Sequence, residues 1–173
     1  MKISAVFLFL LLACFAYAED GWKTVDEGFR MTIPVTWEKQ KVQCTDSNCG
    51  TYKAPTADLN FDEDGRYYQP AWAQAEIDEL KKQEANPKLL KPGEEIWRVD
   101  GRVCRFSTSK IDPAKNVGRR FSNAAILSVP YPGLDSHLTL YINYKSDDDL
   151  PTVRRILKSV GWAKTAKKDG IRK

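Results

Sequence analysis

The segment "DLNFDEDG" (58–65) gathers Asp58, Asn60, Asp62, Glu63 and Asp64 into one short run of oxygen donors. Asn60, Asp62, Asp64 and Gly65 match the first, third, fifth and sixth positions of a calcium loop. The twelfth position, where such a loop needs a bidentate Glu, is Ala71, and no helical pattern precedes the run. The competing reading is a strand that ends in a solvated turn, with Asp58, Asn60 and Asp62 on one face. Paired carboxylates also cleave glycosides, but only when two of them flank the bond across a cleft, which one local run does not show. Aromatics follow at once in "RYYQPAW" (66–72). Asp62, Asp64, Arg66, Tyr67, Tyr68 and Trp72 therefore make the candidate binding surface, since aromatic and Arg side chains are enriched at interfaces. The opposing expectation buries the three rings where a helix packs on a sheet edge.

The single histidine, His137, stands in "GLDSHLTLYINY". A Ser-His-acid site needs three groups converging in space. On a strand the neighbouring Ser136 points to the opposite face, so a serine partner would have to come from elsewhere. Cys104 as a nucleophile would need His137 as its base. The three cysteines beyond Cys14 (Cys44, Cys49 and Cys104) and one histidine, on unrelated spacings, do not make a zinc set, and there is no C-x-x-C, phosphate loop or dinucleotide glycine pattern. No catalytic residue, metal or cofactor is assigned.

The compartment is written at the start of the chain. Lys2 precedes an apolar run from Ala5 to about Phe15, which is too short to span a bilayer. Ala16-Tyr17-Ala18 is a small-x-small cleavage site, so residues 1–18 read as a secretory signal with Glu19 as the new N-terminus. A second reading competes: Leu11-Leu12-Ala13-Cys14 resembles a bacterial lipobox, which would anchor the protein through a lipidated Cys14. Both place the folded part outside the cytosol, secreted or periplasmic in the first case.

The formal charge is +4, and the last stretch, "AKTAKKDGIRK" (163–173), has five positive residues and one negative. The domain between signal and tail is therefore close to neutral. A nucleic-acid domain needs a basic patch on folded structure, so nucleic acid is not expected as a partner. A membrane contact is expected only through Cys14. Another protein is the expected partner, with carbohydrate as the alternative.

Cys44 and Cys49 bracket "TDSN", whose Asp, Ser and Asn are turn formers. A turn brings its ends together, so a Cys44–Cys49 disulfide is the simplest pairing. Cys104 lies in the alternating "GRVCRF", a half-buried strand in which Val103 faces the other way.

The remaining elements follow from punctuation and period. "WKTVDEG" and "FRMTIP" read as a hairpin or two short strands, the second stopped by Pro34, and "TWEKQKVQ" as a further strand. "GTYKA" and "DLNFD" make a second hairpin across "PTA". "PAWAQAEIDELKKQEANP" is the clearest helix, with Trp72, Ala73, Ile77 and Leu80 as its apolar stripe. "EEIWRVDGRVCRFSTSK" turns at Asp100-Gly101, and "SNAAILSVPY" and "HLTLYINYKS" are two longer strands. A short closing helix is capped by Asp148 or Asp149, has Pro151 in its first turn, and buries Val153, Ile156, Leu157 and Val160.

"EGFRMTIPVTWEKQ" (27–40) and "LPTVRRILKSVGW" (150–162) resemble the opening and the final helix of PsbP-like domains. The middle, "DSNCGTYKAPTADLNFDEDGRYY" (46–68), is similar to a pattern of uncharacterised small secreted proteins. The resemblance implies an α+β fold: an antiparallel β-sheet packed with two or three helices in a PsbP-like sandwich. It implies no reaction, and the better-known members are accessory or binding proteins. The expected organisation is a signal peptide (1–18), one α+β domain (19–162) and a basic tail (163–173). The expected function is a non-enzymatic secreted or envelope accessory or binding protein. The alternative is an envelope hydrolase or carbohydrate-active enzyme using Asp62, Glu63 and Asp64.

Overall fold

Strict alternation of apolar and polar residues builds most strands of this protein, and it sorts their side chains onto two unlike faces. The computed structural model describes residues 20–45, 47–64, 70–112, 114, 120–131 and 136–162, leaving out the side chains of residues 64, 70 and 136. The expected signal peptide and basic tail lie outside these residues.

The chain runs through β1 (Trp22–Asp26), β2 (Arg30–Pro34), β3 (Glu38–Gln40), β4 (Asn48–Lys53), β5 (Ala57–Asp64), α1 (Pro70–Ala85), β6 (Glu94–Val99), β7 (Arg102–Lys110), β8 (Asn123–Tyr131), β9 (Ser136–Tyr144) and α2 (Leu150–Lys158). β1 and β2 form a separate antiparallel hairpin. The other seven strands form one antiparallel sheet in the order β3-β4-β5-β9-β8-β7-β6. The expected α+β architecture, an antiparallel sheet packed with helices, is the one found.

One face of the sheet is fully covered. Leu59 and Phe61 of β5, Leu138, Leu140 and Ile142 of β9, Leu127 and Val129 of β8, and Phe106 of β7 pack there against Phe29, Met31 and Ile33 of the hairpin region and Val153, Ile156 and Leu157 of α2. Each such side chain contributes about 1.5–3 kcal/mol through the water it leaves. An antiparallel bridge between Arg30 and Gly161 ties the end of the domain to β2, with N–H to carbonyl distances of 2.6 and 2.8 Å. The other face is only partly covered, by α1, which touches β7 and β8 most and β6 and β9 less.

Local chemistry explains the turns. Asp100 (φ 48°) and Gly101 (φ 78°) are both left-handed, as a two-residue hairpin turn between twisted strands requires. Gly50 has to be glycine for another reason: a Cβ there would stand 2.4 Å from the buried Phe61 ring.

Three expectations are corrected. The strand over 36–43 shrinks to Glu38–Gln40, because the turn closed by Cys44 and Cys49 draws the chain off the sheet edge. α1 buries Ala73, Leu80 and Gln83, whereas Ile77 is half-buried and Trp72 is 54 % exposed. Ala73 and Leu80 are two turns apart on one line, and Trp72 lies about 100° off it. At the last helix, Asp149 stands at the N-cap of α2 as expected, but its side chain makes no bond to that helix and instead accepts from the Ser146 N–H (2.9 Å), closing the 3₁₀ turn (147–149) that leads into α2. Pro151 and the four expected buried residues of the closing helix are where the sequence puts them.

Candidate functional site

The partly covered face is a grid set by register. β5 presents Asp58, Asn60 and Asp62; β9 presents Asn143, Tyr141 and Thr139 beside them; β8 presents Ala124, Ile126 and Ser128 beyond. Reading across the strands, the rows are Asp58–Asn143–Ala124, Asn60–Tyr141–Ile126 and Asp62–Thr139–Ser128. α1 covers the Ser128 side of this grid, and the Tyr141 side opens into a depression of about 640 Å³ walled by Ser109 and Lys110 at the end of β7 and by Ile111 and Asp112 just beyond it.

The acidic run is divided by the strand that carries it. Asp58, Asn60 and Asp62 do share a face, as the alternation predicts, but side chains two apart on a strand stand about 7 Å from one another. As an extended strand the segment does not wrap its backbone around an ion as a calcium loop does, and the Asp64 side chain and Gly65 of the loop pattern lie outside the described residues. Among the described residues, no group of three or more His, Cys, Asp or Glu is placed to hold a metal. Asp58 instead accepts from Arg120 (3.1 Å), and Asn60 Oδ1 accepts from the Thr51 hydroxyl (2.8 Å). Glu63 lies on the opposite face and accepts from Asn48 Nδ2 (3.1 Å). Asp62 and Glu63 therefore cannot act as converging carboxylates. Of the candidate binding surface, Asp62 is exposed on the open face and Trp72 is exposed on α1. Arg66, Tyr67, Tyr68 and the Asp64 side chain lie outside the described residues.

His137 has acquired the serine that its own neighbour could not supply. Ser128 of β8 lies 2.8 Å from its Nε2, and Thr139 lies 3.1 Å from its Nδ1. Glu76 of α1 approaches the same Nε2 at 3.6 Å. A Ser-His-acid relay needs the acid on the nitrogen opposite the serine, so that it fixes the tautomer that accepts the hydroxyl proton. Here a threonine hydroxyl occupies that nitrogen, and the acid crowds the serine side. The cluster fastens α1 to the sheet and lacks the order of a proton relay. Ser128 was not visible in the sequence as a partner, since only the register of the β8–β9 hairpin brings it opposite Thr139 and beside His137.

Cys104 is on the covered face, fully buried, with its thiol bonded to the Trp97 carbonyl (3.3 Å). His137 is on the other face, which removes the Cys–His pairing weighed from the sequence. Burial pushes the Cys104 thiol up to about 12, outweighing its hydrogen bonds to the backbone. It is the opposite of a reactive cysteine. Cys44 and Cys49 form the expected disulfide, with Cα atoms 5.9 Å apart.

The depression around Tyr141 is the feature the sequence did not announce. Tyr141 is 44 % exposed, a large ring standing on the sheet between Asn60 and Ile126. Asn143 lies two residues on, over the short Ala124.

No protein-family model matches this chain, and no curated protein matches it in sequence. Solved structures do share its shape. A crystal structure of a protein from Bacteroides thetaiotaomicron VPI-5482 matches 80 % of this chain at 8 % identity with a TM-score of 0.53. This chain spans 46 % of that protein's length. The solution structure of cyanobacterial PsbP (CyanoP) from Synechocystis sp. PCC 6803 matches 88 % of this chain and 99 % of its own at 13 % identity, with a TM-score of 0.49. The sheet-and-helix architecture is the one expected from the sequence. At such identities the likeness concerns the fold alone. The Cys44–Cys49 bridge points to an oxidising compartment outside the cytosol, and no helix among the described residues is long and apolar enough to cross a membrane.

Proposed function

We propose that this chain is a non-enzymatic binding or accessory protein that works outside the cytosol and presents the open face of its sheet to a ligand. The observation that carries the reading is the depression around Tyr141: an exposed ring with amide and hydroxyl groups beside it, on a face that could have been covered like its counterpart. Ligand sites combine concavity, apolar area and a few placed polar groups in this way. Asp62 belongs to the same face, which links the acidic segment to the proposed surface.

The hydrolase alternative has little geometry behind it. Asp62 and Glu63 diverge, and His137 faces an acid and a serine on one nitrogen. An activated ester or glycoside assay decides the point: turnover that falls on Asp62→Asn or His137→Ala would replace the binding reading with an enzymatic one. Affinity capture from the native envelope or medium, with wild type against Tyr141→Ala, tests the surface itself. The expected result is a ligand retained by wild type and lost by the variant. Retention by both would remove the open face from the proposal.

Export completes the reading. The mature protein is expected to begin at Glu19, with Cys14 discarded, and intact-mass measurement of the exported protein decides it. A diacylglycerol-bearing species starting at Cys14 would make the protein an anchored lipoprotein instead.

A further inference from the structure

We infer that the ligand of this face is an uncharged saccharide, seated on the Tyr141 ring and read by Asn60 and Asn143. This rests on the binding reading above and gives its ligand a chemical class.

A sugar ring is amphipathic: C–H bonds line its faces, and hydroxyls that both donate and accept ring its edge. The site is built the same way. Tyr141 supplies a flat apolar surface with a polar tip, and Ile126 extends it across the strand. Asn60 and Asn143 supply primary amides, and each amide carries two donors and an acceptor. Thr51 occupies only the Oδ1 of Asn60, which leaves its amino group to donate outward. Among the described residues the Asn143 amide is not engaged in the fold's own hydrogen bonds. Ser109 adds a hydroxyl at the wall. A volume of about 640 Å³ lies within the range of small-ligand sites, roughly 300–1,000 Å³.

Charge removes the competing ligands. Lys110 and Asp112 both line the wall and offset each other. Lys110 is further paired with Asp147 (3.2 Å), and Asp112 accepts the Ala114 N–H (3.0 Å). A phosphate- or carboxylate-bearing ligand would need a cation committed to it, and a cationic ligand an uncommitted acid within the depression, whose lining does not include Asp62. A peptide added as an extra strand is also excluded, because β5, β9 and β8 are interior strands whose backbone groups are already paired.

The test is calorimetric titration of the purified protein with chitobiose, cellobiose and maltose, backed by an array of immobilised neutral and acidic glycans. At least one neutral glycan is expected to bind and to shift the side-chain amide signals of Asn60 and Asn143 in nuclear magnetic resonance spectra. Tyr141→Ala should weaken that binding by at least about tenfold, a loss of about 1.4 kcal/mol, and Tyr141→Trp should keep it. Asn143→Ala serves the same purpose should Tyr141→Ala fold poorly. Binding of acidic glycans only, binding unchanged in both alanine variants, or no glycan binding at millimolar concentration would each overturn the assignment. A protein captured by wild type and lost by Tyr141→Ala, with no glycan bound, would overturn the saccharide while leaving the binding surface in place. Hydrolysis of the glycan would overturn the binding reading itself.

Discussion

The two faces of the sheet are made by the same strands, often by adjacent residues, and they are put to opposite uses. On β9 the covered face takes Leu138, Leu140, Ile142 and Tyr144, all at 3 % exposure or less, while the open face takes His137, Thr139, Tyr141 and Asn143. The helices differ in the same sense. α2 buries Val153, Ile156 and Leu157 within nine residues, whereas the sixteen residues of α1 bury Ala73, Leu80 and Gln83. Burial therefore pulls hard on one side and weakly on the other. A side chain on the weak side is free to be chosen for what it touches in solution, since a surface change away from packing or caps alters stability by no more than about 0.5 kcal/mol.

Substitutions can break or sharpen this contrast. Phe106 on the covered face is fully buried and stacks on Trp97 with ring centroids 4.0 Å apart. Phe106→Ala should cost about 3–5 kcal/mol in urea unfolding, and a loss under about 1 kcal/mol would mean the covered face is not the core. Gly50→Ala pushes a methyl against the Phe61 ring and should cost about 1–3 kcal/mol by the same measurement, as overpacking does.

An intermediate effect is expected at the rim of the covered face. Arg154 forks onto Glu95, with one hydrogen bond of 3.0 Å and a second to the other oxygen, and the Trp97 indole N–H adds a third at 2.8 Å. The Arg154 bonds hold the Glu95 carboxyl below the usual carboxylate range, against the opposing effect of burial. A carboxyl lowered on folding stabilises above its unfolded value, near 4.3, and that contribution is lost as pH falls through the lower folded value. Glu95→Gln should therefore be less stable than wild type by no more than about 1 kcal/mol at neutral pH, because the pair is partly exposed. The gap should close in acid, and unfolding curves at several pH values would show it. A gap that persists unchanged into strong acid would assign the loss to packing. The smallest effect belongs to the open face: Tyr141→Ala and Asn143→Ala should unfold within about 0.5 kcal/mol of wild type. A larger loss at either would show that these groups serve the fold.

The hairpins and the closing helix were legible in the chain because their signals are local. Asp100-Gly101 names its own turn, Pro34 ends its own strand, and the turn formers between Cys44 and Cys49 bring those cysteines together. Alternation also told which residues of 57–64 and 137–144 share a face. It could not tell which strand lies beside which. Asn60 meets Tyr141, and Ser128 comes to His137, only through pairings between strands, so the site was invisible although each residue's orientation was not. Trp72 misled for a related reason: α1 is polar almost throughout, and a weak apolar stripe leaves the helix's rotation to the sheet that receives it.

The order of the sheet also has a kinetic meaning. β3, β4 and β5 succeed one another along the chain, as do β6, β7, β8 and β9, so five of the six neighbouring pairs join consecutive strands and one seam does not. That seam joins residues 57–64 to residues 137–144, with α1 and three strands in between. Closing it confines a long stretch of chain before any of its contacts can compensate, and non-local pairing of this kind slows folding. The open-face site straddles the seam, with Asn60 on one side and Tyr141 on the other. The molecule can assemble each half early, but it acquires a ligand site only when the two halves zip together.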